Sequence, residues 1–169
     1  LDIGTGSGCI AISLAKNLPN STVYALDISA EALKIVEQSA KKNNVFIHFF
    51  EADILNLNEL QQSFNIIVSN PPYVDAEDLA SMPQEYQHEP ELALASGDDG
   101  LDFTRRLLQQ ATQYLSKNGV LVVEVGNSWV ALERAFPNVP FVWLEFTEGD
   151  AGVFVLTRDQ LLEHRESFQ

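Results

Sequence analysis

Short apolar runs alternate along the chain with stretches of helical period, and clusters of glycine, proline and polar residues punctuate them; this is the pattern of a sheet built from β-α units. Leu1-Asp2-Ile3 reads as the end of a strand, and Cys9 to Ala15 as an apolar helix start. Residues 22–26 form a second strand that ends at Asp27. Ser29 is placed to cap a helix over 30–42, with Leu33, Val36 and Ala40 at helical spacing. Residues 45–50 make a third strand, and the β-branched run 64–68 a fourth, stopped by two prolines. A helix is predicted over 101–116 on the stripe Leu101, Leu108, Ala111 and Leu115, with Asn118-Gly119 as its stop. Residues 120–125 are almost continuously apolar, as expected of a strand covered on both faces of a parallel sheet. A helix over 128–136 follows. Strands over 141–146 and 152–157, joined through Glu148-Gly149-Asp150-Ala151, then predict an antiparallel hairpin. From Arg158 the sequence is polar and reads as a tail, so the domain is drawn over 1–157 and the tail over 158–169.

The excursion over 74–100 carries Pro83, Pro90 and the acids Asp75, Glu77, Asp78, Glu85, Glu89 and Glu91, and a connection of that length inside a compact domain reads as a lid or substrate rim. With 169 residues and 46% hydrophobic content the chain is sized for one domain with a real core. Ten basic against 24 acidic residues give a formal charge of −14, which repels phosphate backbones, so direct nucleic-acid binding is not expected. No run approaches the roughly 18 apolar residues of a membrane span. The single cysteine, Cys9, reads as a small packed hydrophobe, and an intracellular, cytoplasmic setting is expected. Opening on the last residues of a strand suggests that N-terminal sequence is missing, and with it a part that recognises substrate.

The candidate chemistry lies at strand ends. Asp2, Asp27, Asp53 and Asn70 each close an apolar run, the edge at which open α/β sheets hold ligands. Gly4-Thr5-Gly6-Ser7-Gly8 between strand and helix forms a cradle, because glycine lets a ligand approach backbone N–H groups. Asp27 lies 23 residues beyond Gly4, near the interval at which such units set a carboxylate against ribose. Either Asp27 or Asp53 could equally cap a helix or turn. The Asn70-Pro71-Pro72-Tyr73 stretch could be a rigid turn. It could also be a clamp, in which the Asn70 amide, the Pro71 carbonyl and the flat Tyr73 ring suit a planar amide or amino group. Glu124 is unusual in an apolar strand, and either orients the glycine loop or lid or is a paired structural carboxylate. His88 has no second ligand at metal spacing, so no metal is expected. Trp143 reads as core and Trp129 as surface or partner contact. The glycine pattern alone also admits a nicotinamide-type dinucleotide module, in the frame Gly6, Gly8 and Ala11.

Taken together, Asp2-x-Gly-x-Gly-x-Gly8, Asp27, Asp53, Asn70-Pro-Pro-Tyr73 and the terminal hairpin resemble the class I methyltransferases that use S-adenosylmethionine. That resemblance implies a Rossmann-like, mostly parallel seven-stranded sheet closing in an antiparallel hairpin. The tetrapeptide is shared by enzymes for adenine amino groups in DNA or RNA and by the HemK-type enzymes for protein glutamine. The longer match, through Asp75-Ala-Glu-Asp78, His88-Glu-Pro-Glu-Leu-Ala-Leu94 and Gly97-Asp-Asp-Gly-Leu101, resembles the glutamine branch. Val125-Gly-Asn-Ser128 and Trp143-Leu-Glu-Phe146 look more like the enzyme for large-subunit ribosomal protein L-three than the one for release factors.

The resemblance implies a protein substrate of the translation apparatus, and S-adenosylmethionine as cofactor with S-adenosylhomocysteine as product. Gly4, Thr5, Gly6, Ser7 and Gly8 would lie under its methionine part, joined by Asp2. Asp27 would hold its ribose, with Ile28 alongside, and Asp53 would face its adenine. Ile54 departs from the aromatic residue of the release-factor enzymes, which implies aliphatic packing on the adenine. Asn70 would border the cofactor, and Asn70, Pro71, Pro72 and Tyr73 would hold the substrate amide.

Overall fold

The computed structural model describes residues 1–53, 62–71, 99–147 and 152–169. Its strands are β1 (Asp2–Ile3), β2 (Tyr24–Asp27), β3 (His48–Glu51), β4 (Phe64–Ser69), β5 (Leu115–Glu124), β6 (Val142–Trp143) and β7 (Val153–Thr157). They form one seven-stranded sheet in the order β3-β2-β1-β4-β5-β7-β6. Pairing is parallel from β3 to β5, and β7 runs antiparallel between β5 and β6.

The order explains how two residues suffice for β1. Asp2 and Ile3 pair with Ala25 and Leu26 on one side and with Val68 and Ser69 on the other, so the shortest parallel strand is also the most enclosed. The chain steps outward from β1 to β3 and then returns to β4 on β1's other flank. The C-terminal ends of β1 and β4 therefore border the crevice at which such sheets bind ligands.

Helix α1 (Cys9–Asn17) and helix α2 (Ala30–Asn43) follow β1 and β2. Ser29 caps α2 as its sequence implied, the hydroxyl accepting from Ala32 N–H at 3.2 Å, and Leu33, Val36 and Ala40 are its buried positions. The helices meet at Gly8, which precedes α1 with φ 82°; a Cβ there would lie 2.5 Å from a Val36 methyl. Helix α3 (Asp102–Tyr114) precedes β5, helix α4 (Trp129–Ala135) follows it, and helix α5 (Arg158–Glu163) closes the fold. Leu107, Leu108 and Ala111 of α3, Leu132 of α4 and Leu161 of α5 share one core with Ile3, Ile67, Leu121, Val123, Phe154 and Leu156.

Several expectations are corrected. The helix predicted over 101–116 ends at Tyr114, because Leu115 is worth more in the sheet: it is extended, buried and already paired with Phe64. Asn118-Gly119 lies inside β5, where the register shifts between the pairs Phe64–Leu115 and Ile66–Val120. Only alternate residues of β5 are fully buried; Val120 and Val122 on its other face are half-buried. The hairpin is present, Val142 pairing with Val155 and Trp143 with Phe154, but β6 is shorter than 141–146 and the turn at 148–151 lies outside the described residues.

The segment from Arg158 is not a tail. Thr157 and Gln160 form a reciprocal cap at the start of α5, Leu161 is wholly buried, and Phe168 packs edge-on against Phe136 at 5.4 Å. Cys9 is exposed rather than packed. Among the described residues no helix is long and apolar enough to cross a membrane.

Candidate active site at the ends of the central strands

The strand registers gather the site. Leu26, Ile3, Ser69 and Val123 lie abreast on β2, β1, β4 and β5. One step further along, Asp27, Gly4, Asn70 and Glu124 therefore share a row at the C-terminal edge of the sheet, where the polar strand ends of the sequence pointed.

The glycine loop is built on that edge. Gly4 and Thr5 N–H groups donate to the Leu26 carbonyl at 2.8 and 3.0 Å, and Gly8 N–H donates to the Thr5 carbonyl at 2.8 Å. Gly4 and Gly6 have φ of 67° and 51°, and a Cβ at either would meet nothing within 4 Å among the described residues. Bare backbone facing open space is what a ligand cradle needs, so the loop fits a bulky nucleoside-type ligand.

Asp27 ties the loop to the next strand. One carboxylate oxygen accepts from Gly6 N–H and the other from Ser29 N–H, both at 2.9 Å. Each oxygen retains lone-pair capacity for a ligand hydroxyl, so the carboxylate braces the loop and can face a ligand at once. Ile28 beside it is 66% exposed, an apolar side chain free to pack on a flat ring. Asp53 is half-buried two residues past β3 and takes part in an interaction within the fold.

Asp2 and Thr5 differ from what the sequence suggested. Asp2 is 1% exposed and lies beneath the loop, where its carboxylate accepts from the Thr5 hydroxyl at 2.6 Å and from Ala11 N–H at 3.2 Å. Both residues brace the loop from below. Burial raises the Asp2 carboxyl above the usual carboxylate range, opposed by these two hydrogen bonds. Its second oxygen is buried without a hydrogen-bond partner among the described residues. Ser7 is exposed, its hydroxyl 3.2 Å from the Cys9 sulfur.

Across the crevice, Asn70 is exposed and Pro71 buried at the end of β4. A contact the sequence reading missed stiffens this end: the buried Ser69 hydroxyl donates to the Ile3 carbonyl at 2.8 Å, tying β4 to β1 just before Asn70 and Gly4. Ile54, Pro72, Tyr73 and His88 lie outside the described residues. Beyond them, Asp99 binds Arg105 at 2.8 Å at the start of α3, which holds the Asp99 carboxyl below the usual range. A cavity of about 470 Å³ lined by Leu1, Leu18, Tyr24, Phe64 and Ile66 opens at the N-terminal ends of the strands, away from this row. Trp129 and Trp143 lie 6.0 Å apart, and the Trp143 indole donates to Glu133 at 2.9 Å, so Trp143 is a half-buried edge residue rather than full core.

A seven-stranded sheet of this order, with an antiparallel seventh strand and a glycine cradle at the switch point, defines the class I methyltransferase fold. The chain belongs to the methyltransferase small domain family, whose model matches residues 1–89. It is 44% identical to the ribosomal protein uL3 glutamine methyltransferase of Francisella tularensis subsp. tularensis, over 100% of this chain and 54% of the relative. It is 46% identical to the enzyme of that name from Neisseria gonorrhoeae, over 96% of this chain and 54% of the relative. The chain thus spans about half the length of the curated relatives it matches. Among solved structures, TrmN from Thermus thermophilus matches with TM-score 0.61 at 27% identity, over 92% of this chain and 42% of that one. A methyltransferase from Pyrococcus furiosus matches with TM-score 0.65 at 16% identity, over 94% and 74%, a likeness of fold alone.

Proposed function

We propose that this chain is the catalytic domain of an S-adenosylmethionine-dependent enzyme that methylates the side-chain amide nitrogen of a glutamine in a cytoplasmic protein of the translation apparatus, ribosomal protein uL3 (L-three). The observation that carries this reading is the row of Asp27, Gly4 and Asn70, which sets a ligand cradle directly beside an exposed amide. The names of the two relatives supply the choice of substrate.

The cradle's bare backbone at Gly4 and Gly6 and the spare lone pairs of Asp27 fit the cofactor, with Ile28 against its adenine. When bound, S-adenosylmethionine supplies a methyl group made electrophilic by its sulfonium. An amide nitrogen is a poor nucleophile because its lone pair is delocalised into the carbonyl. The Asn70 side-chain carbonyl and the Pro71 backbone carbonyl, each accepting one N–H of the substrate amide, favour a pyramidal nitrogen whose lone pair points across the crevice. Acceptors aimed at those hydrogens gain strength as the nitrogen becomes cationic, so they stabilise the transition state more than the ground state. Tyr73 is assigned to the amide plane and Pro72 to the shape of the clamp.

The charge of −14 favours a basic protein over nucleic acid as the partner. The test is methyl-labelled S-adenosylmethionine with recombinant uL3, ribosomal RNA and a release factor offered in parallel, followed by mass mapping of the modified peptide. One methyl group on a glutamine is the expected outcome. Label confined to RNA would assign the adenine branch instead, label on a release factor alone would assign the sister enzyme, and no label in any of the three would overturn methyl transfer itself.

A further inference from the structure

The row at the sheet edge has a fourth member that the clamp does not use. Ser69 and Val123 are abreast on β4 and β5, so continuing the parallel register sets Glu124 beside Asn70. Ile67 and Ser69 are buried on the side of Leu121 and Val123; by alternation Val68 and Asn70 fall on the side of Val122 and Glu124. Glu124 ends an otherwise apolar run over 120–125, is half-buried and is engaged within the fold, so it is no loose surface charge. Backbone contacts fix both strand ends: Val125 N–H donates to the Gly152 carbonyl at 2.7 Å, and the Ser69 hydroxyl holds β4 to β1. Gly152 and Gly126 meet so closely that a Cβ on Gly152 would lie 2.3 Å from the Gly126 carbonyl oxygen, which leaves the end of β5 little freedom.

Resting on the function proposed above, we infer that Glu124 is a catalytic group for the same reaction, its carboxylate facing the acceptor nitrogen beside Asn70 and offsetting the positive charge that builds there. The amide nitrogen gives its lone pair to the methyl carbon, the electrons of the carbon–sulfur bond return to sulfur, and the nitrogen stays cationic until one of its protons passes to solvent. A fixed negative charge within a few ångströms favours that cation over the neutral amide that precedes it.

Glu124→Gln keeps the shape and removes the charge. It is expected to lower kcat by about tenfold or more, with KM for uL3 and the melting temperature close to wild type, while Glu124→Asp recovers part of the rate. A structural carboxylate would instead move the melting temperature and KM. A second readout needs no turnover. N-acetyl-ornithine amide places an ammonium where N-acetyl-glutamine amide has its amide nitrogen, and both can be titrated by NMR in the presence of S-adenosylhomocysteine. Wild type is expected to prefer the ornithine probe by about tenfold, and Glu124→Gln to lose that preference. Wild-type kcat in Glu124→Gln, or an unchanged probe preference, overturns the role of Glu124. A wild-type protein that leaves uL3 unlabelled overturns the functional reading, and the probe preference then still decides whether a cation is met at Glu124.

Discussion

At the scale of single residues, two polar side chains near the sheet edge do opposite things. Asn70 is exposed, makes no hydrogen bond among the described residues and faces a crevice, so its replacement should cost chemistry and little else. Asn70→Ala is expected to slow single-turnover methyl transfer at least about a hundredfold while cofactor affinity measured by calorimetry stays within a few-fold. Equal single-turnover rates would remove Asn70 from the clamp. Asp2, by contrast, is a structural carboxylate whose charge is disfavoured by burial. Because its folded pKa is raised, the folded state binds the proton more tightly than the unfolded chain. Stability contributed by Asp2 is therefore greatest in acid and declines as pH rises from the unfolded value of about 4 through the folded one. Asp2→Asn, which keeps one carbonyl acceptor for Thr5 and Ala11, should gain on wild type over that rise. Urea unfolding of both proteins at stepped pH would show it, and a difference independent of pH would place the raised pKa in doubt.

At the scale of elements, much of the fold was readable. Buried strands announce themselves as apolar runs, and α2 carries both its cap and its stripe, so these stood out by local pattern alone. The shared edge of the candidate residues was readable for the same reason: polar residues that end apolar runs fall on one edge once the strands are parallel. What escaped depends on partners distant in sequence. Leu115 continues the helical stripe of α3, and only pairing with Phe64 makes it the first residue of β5. Asp2 follows the pattern of a ligand-facing acid, and only the loop closing over it turns it inward. The closing segment looked polar because a short helix needs few apolar residues; Leu161 and Phe168 are its buried side chains, and hydrogen bonds from Arg158 to the Thr112 carbonyl and from Gln109 to the Phe168 carbonyl add to them. Leu161→Ala should therefore cost about 2–4 kcal/mol in chemical denaturation, as for any core leucine, where a tail residue would cost almost nothing. Gly8→Ala should cost at least about 2 kcal/mol, since it combines a left-handed φ with a methyl 2.5 Å from Val36. The double variant Gly8→Ala/Val36→Ala should recover the part due to contact and leave the part due to backbone.

For the whole molecule the governing quantity is its charge. A charge of −14 would draw a basic partner in through a field that salt screens over about 8–10 Å, whereas the proposed clamp would act at contact distance on a desolvated amide that salt hardly reaches. The two contributions should therefore separate experimentally. With uL3 as substrate, raising ionic strength from about 50 to 500 mM is expected to raise KM several-fold through slower association, while kcat and cofactor affinity change little. A short neutral peptide carrying the same glutamine should lose that salt dependence and keep the sensitivity to Asn70→Ala. If kcat fell with salt in step with 1/KM, the acidic surface and the clamp would be acting as one device, and recognition of the partner would have to be sought in the same few residues that perform the chemistry.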